Sequence, residues 1–145
     1  MNKFRLLSFL FAAFMLLTLA SCGKDDDAEP SKRDLLTAQT WRGDKLYIDG
    51  VEATNNPYVI DYFIDIKGTT LKFEKDRTYT AIYTVGDEKE TESGTWDLKN
   101  NDQQIAFAFL SQDTDIKRLT KDNLDIAATF EEDGEKITIE MRFIK

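Results

Sequence analysis

The chain has 145 residues, with 19 basic and 27 acidic side chains, a formal net charge of −8, one cysteine and no histidine. This composition excludes a Ser-His-Asp or Cys-His catalytic set, a zinc site built on His and Cys, and an internal disulfide. The acidic balance repels phosphate backbones and no basic cluster offsets it, so nucleic acid is excluded as a partner.

The first segment reads as a leader. Lys3 and Arg5 supply positive charge, and Leu6 to Leu19 is apolar apart from Ser8 and Thr18. That run is shorter than the roughly 20 residues a membrane-spanning helix needs, and it suits a signal peptide over residues 1–21. Leu19-Ala20-Ser21-Cys22 resembles the lipobox of bacterial lipoproteins. The resemblance implies that Cys22 is acylated and becomes the first residue of the mature chain. Lys24, Asp25, Asp26 and Asp27 follow, similar to the export signal of surface lipoproteins in Bacteroidota. The same run also reads as a solvated linker. Residues 22–34 contain no large apolar side chain and so cannot offset their chain entropy by burial. They are expected to form a tether. The implied location is the outer membrane, lipid-anchored and exposed at the cell surface.

From Leu35 the pattern turns to strands. Asp34 with Leu35–Ala38 suggests a short capped helical turn. Thr40–Asp49 reads as a strand ending at an Asp49-Gly50 turn. Residues 57–66 fit two patterns. Ile60, Tyr62, Ile64 and Ile66 alternate like a strand, whereas Pro57 followed by Val59, Ile60, Phe63 and Ile64 fits a short helix or lid. Thr69–Glu74 and Thr78–Val85 form a hairpin. Gly94–Leu98, Gln104–Leu110, Asp115–Thr120, Asn123–Phe130 and Lys136–Ile144 complete the set. Period-two alternation points Tyr79, Ala81, Tyr83 and Val85 inward, and likewise Ile137, Ile139, Met141 and Phe143. The expected fold class is all-β: an eight-stranded antiparallel meander that closes as a barrel over residues 35–145.

Trp41, Asp49-Gly50, Phe73, Asp76, Thr78-Tyr79-Thr80 and Gly94-Thr95-Trp96 are similar to motifs of the lipocalin-like domain of Bacteroidota lipoproteins. That family usually carries glycine where this chain has Arg77, which must therefore enter a turn geometry that glycine adopts more easily. The resemblance implies the barrel and names no ligand.

No motif for a cofactor, metal or phosphate is present, and no carboxylate pair stands out, so the chain does not read as an enzyme. The candidate binding residues are the inward aromatics Tyr79, Tyr83, Trp96, Phe107, Phe109, Phe130 and Phe143. An eight-stranded barrel is just wide enough to be filled by side chains or to hold one small ligand. Two functions stay open: a binder of a small hydrophobic molecule, or a surface interaction lipoprotein that partners an outer-membrane protein through its outer face.

Overall fold

The computed structural model describes residues 29–110, 113–132 and 134–145. The leader, Cys22, Lys24, Asp25, Asp26 and Asp27 lie outside the described residues. The first element is helix α1, Lys32–Thr37. Its cap is Ser31, not Asp34: the Ser31 hydroxyl accepts from the Asp34 amide at 3.1 Å and donates to the Asp34 carboxylate at 2.6 Å. This reciprocal cap satisfies a helix-end donor that is otherwise unpaired. Lys32, Arg33 and Asp34 are therefore part of the fold. Leu36, fully buried, seats the helix, and the Leu36 carbonyl accepts from the Trp41 indole at 3.0 Å.

Ten strands follow: β1 Thr40–Ile48, β2 Val51–Glu52, β3 Thr70–Phe73, β4 Thr78–Val85, β5 Glu88–Thr95, β6 Asp97–Lys99, β7 Gln104–Ala106, β8 Asp113–Leu119, β9 Asn123–Glu132 and β10 Glu135–Ile144. All pairings are antiparallel, in the order β5-β4-β3-β1-β10-β9-β8-β7-β6, with β2 attached to β1. The fold is thus the antiparallel all-β sheet expected, with ten strands where eight were counted. The surplus has two sources. The turn beyond Asp49 returns as the short β2, and the stretch expected as Gly94–Leu98 is two strands joined at Trp96.

That join shapes the molecule. β5 and β6 stand at opposite ends of the pairing order, yet only Trp96 separates them in the chain. The backbone itself therefore links both edges of the curled sheet. The Trp96 amide donates to the Arg77 carbonyl at 2.8 Å, and its indole donates to the Glu74 carbonyl at 3.1 Å. Arg77 adopts the left-handed region at φ 71° that its turn demands. Beyond the join, β5 pairs with β4 alone, and its other edge faces the 3-10 turn Ala108–Leu110.

The two ends of the barrel differ. At one end lie α1, the turn between β3 and β4, the turn between β8 and β9, and Trp96. At the other lie the ends of β1 and β4, the start of β10 and the segment 57–68. The core runs between them. Trp41, Phe73, Leu71, Leu124, Ile126 and Phe143 are fully buried. Gly43 makes the close approach that bends β1: a Cβ there lies 1.9 Å from the Ile66 carbonyl oxygen. The pairing of β1 with β10 shifts register between Gly43 and Lys45 at the same place, which is a bulge. Ile137 shares the inward face of β10 but is 41% exposed, because the β9–β10 hairpin outruns the core.

Candidate functional site

Segment 57–68 resolves as helix α2, Pro57–Tyr62, then the 3-10 turn Ile66–Gly68. Proline suits the first helical turn, and the Asn56 side chain accepts from the Tyr58 amide at 3.0 Å. Val59, Ile64 and Ile66 are buried and pin the segment to the barrel. Two backbone bonds stitch it to the end of β4: the Asp65 amide to the Thr84 carbonyl at 2.8 Å, and the Gly86 amide to the Ile60 carbonyl at 2.9 Å. Tyr58 and Tyr62, with ring centres 5.0 Å apart, face outward and are exposed.

Beneath this strap lies a cavity of about 190 Å³. Phe63 and Ile64 come from the strap, Tyr83 from β4, Phe109 and Leu110 from the 3-10 turn after β7, Phe130 from β9, and Met141 from β10. The lining holds one hydroxyl, on Tyr83, and no charged side chain. Such a surface gains free energy by covering apolar groups and has one polar contact with which to orient them. It carries no group suited to acid–base or nucleophilic work.

The seven aromatics singled out from the sequence divide between cavity and core. Tyr83, Phe109 and Phe130 line the cavity. Tyr79, Trp96, Phe107 and Phe143 are buried elsewhere in the core. Most of the set nevertheless forms one ladder. Trp96 packs edge-on to Phe73 at 5.4 Å, Phe73 to Phe107 at 5.5 Å, Phe107 to Phe109 at 6.0 Å, and Phe109 to Tyr83 at 5.4 Å. Rings at these separations favour edge-on or offset contacts, so the ladder forms a stiff floor to the cavity. Gln104–Leu110 is not one strand. β7 ends at Ala106, and the chain turns so that Phe107 and Phe109 stack on the same side.

Tyr79 lies beside the cavity wall, where its hydroxyl donates to the Glu92 carboxylate. Burial, followed by that hydrogen bond and the carboxylate charge, pushes its ionisation well above the ordinary phenol range. Leu110 and Met141 line the cavity and were absent from the sequence-derived set. Met141 carried a signal, its inward position in the alternation of β10. Leu110 carried none, because the strand expected around it is a 3-10 turn.

No protein-family model matches the chain, and no curated protein matches it in sequence. Solved structures do. The odorant-binding protein from bovine nasal mucosa matches with a TM-score of 0.51 and 16% identity, covering 83% of this chain and 77% of that one. The bovine odorant-binding protein in complex with its natural ligand gives the same values. Its complex with a selenium-containing odorant also has a TM-score of 0.51 and 16% identity, covering 85% of this chain and 77% of that one. Identity at this level speaks for the fold alone, and the fold of this chain is lipocalin-like.

Proposed function

We propose that this protein is a lipid-anchored surface lipoprotein of the outer membrane whose lipocalin-like barrel binds a small hydrophobic molecule. The observation that carries the binding reading is the cavity of about 190 Å³ with its apolar lining at the strap end. A preformed apolar cleft with one or two polar contacts is the usual form of a small-molecule site. The bovine proteins of like fold are named for odorants or described with a bound ligand, which supports the same reading. The anchor rests on the sequence around Cys22, and the surface location on Lys24, Asp25, Asp26 and Asp27. A carrier needs no catalytic set, which agrees with the lining.

Both tryptophans are buried and neither is among the lining residues, so their fluorescence is a poor reporter. Met141 is a better one. Protein labelled with ¹³C-methyl methionine, its Met141 signal assigned by Met141→Leu, should shift that signal when small apolar compounds are added. Tyr83→Ala should change the affinity without unfolding the domain, its far-ultraviolet circular dichroism staying that of the native protein. Native mass spectrometry of protein from cells should show a bound small molecule. A silent Met141 and an empty spectrum together favour the other function, surface interaction through the outer face.

A further inference from the structure

We propose that the ligand of this cavity is a small organic cation, with a single-ring or similarly sized apolar body inside and an ammonium group met by Glu90 and Glu88 of β5. The inference rests on reading the cavity as a ligand site and names the class of ligand.

The register of β4 on β5 places Tyr83 opposite Glu90, Val85 opposite Glu88, and Ala81 opposite Glu92. Directly opposed residues in an antiparallel pair point to the same face, with Cβ atoms about 4.5–5.5 Å apart. Tyr83 lines the cavity, and Glu90, exposed and outside the lining residues, stands beside Tyr83 on the same face of the sheet. Two further contacts fix the face. The Tyr79 hydroxyl, inside the core, donates to Glu92. A Cβ on Gly94, two residues on, lies 3.0 Å from the Tyr79 ring. The inner face of β5 is therefore Glu88, Glu90, Glu92 and Gly94, while Lys89, Thr91 and Ser93 point outward.

Glu92 is engaged by Tyr79. Glu88 and Glu90 make no hydrogen bond or ion pair among the described residues. Inward-pointing charge on an edge strand also deters pairing with another chain. That purpose is served by either sign, yet here three of the four inner positions are acidic and the one lysine of the strand lies on the opposite face. The row does not suit a metal: among the described residues no three His, Cys, Asp or Glu side chains could hold one. An organic cation needs no such cage. Its charge reaches a carboxylate while its body meets the aromatic faces of Tyr83, Phe109 and Phe130, which themselves attract cations. The volume sets the size. A cavity of roughly 150 Å³ accommodates benzene, so this one fits a single ring and its substituent.

A matched series tests the assignment: 2-phenylethylamine, 2-phenylethanol and phenylacetate, each titrated against the Met141 methyl signal of the purified protein. The amine should bind roughly tenfold more tightly than the alcohol, and the acid most weakly, because a charge-assisted contact exceeds a neutral one by about that ratio. Glu90→Gln, an exposed and near-isosteric change, should bring the amine to the level of the alcohol and leave the alcohol unchanged. An alcohol that binds as tightly as the amine overturns the charge assignment and leaves the cavity reading standing. So does an amine preference that survives Glu88→Gln and Glu90→Gln together. Silence of Met141 toward all three compounds overturns the cavity reading itself.

Discussion

Tyr79 joins the core to the edge strand, and its hydroxyl couples folding to alkaline pH. An unfolded tyrosine ionises near pH 10. In the fold its proton is held to a higher pH by burial and by the Glu92 carboxylate. A group whose folded value is raised contributes its full stability below the unfolded value and loses it as the pH climbs toward the folded one. Stability should therefore fall as pH rises above about 10, and Tyr79→Phe should flatten that part of the curve. Denaturant midpoints at about pH 8 and about pH 11 check this. Gly43 and Gly50 give a second residue-scale contrast. A Cβ at Gly43 meets backbone, the Ile66 carbonyl oxygen, which no rotamer change relieves. A Cβ at Gly50, at φ 79°, meets nothing within 4 Å. Gly50→Ala should cost only the left-handed penalty, about 1–2 kcal/mol. Gly43→Ala should cost more than about 3 kcal/mol, as overpacking does when the site cannot yield. Paired denaturation curves decide it.

At the scale of elements, β5 is the instructive case. Its outer edge has no strand partner among the described residues, so alternate amides point away from β4. Hydrogen exchange followed residue by residue should show fast and slow amides alternating along Glu88–Thr95. β9, paired on both sides, should be slow throughout its central residues. Uniform protection along β5 would mean that another strand covers the seam. The same strand shows where a sequence stops being readable. β4, β9 and β10 alternate apolar and polar residues because one side meets a packed core, and their course was legible. Glu88–Ser93 contains no apolar residue, so its period-two pattern was invisible although its geometry is that of a strand. Its inner positions face a cavity and a seam and not a core. The candidate site was half legible for a related reason. Inward aromatics were identifiable from alternation, but alternation says nothing of position along the barrel axis. That position separates Tyr83 and Phe130 at the cavity from Trp96 and Phe143 in the packed core. Strap residue Ile64 fitted either pattern, whereas Phe63 depended on choosing helix over strand, which Pro57 and Asn56 settle only once the Asn56 cap is seen.

For the whole molecule, the described chain enters through α1, at the end opposite the cavity. On the lipid-anchored reading, the stretch between Cys22 and Ser31 reaches at most about 30 Å. On that same reading the tether meets the domain at the end opposite the strap. Charge also distinguishes the two ends. Asp49, Asp61, Asp65, Asp87 and Glu135 at the strap end outnumber Lys67, Lys89 and Lys136, whereas Lys32, Arg33, Lys75, Arg77 and Lys121 at the other end balance Asp34, Asp76 and Asp122. An anionic membrane surface repels the first end more strongly than the second. The pairing of β1 with β10, in which Arg42 lies opposite Ile144, bears on the timing of folding. β1 meets β3 on one side early in the chain, but its longer neighbour on the other side is β10, the last strand of the sheet. No growing fragment can complete the sheet before β10 has been made. On the lipoprotein reading proposed above, in which the chain is exported before it folds, that delay, built into the order of the strands, serves export.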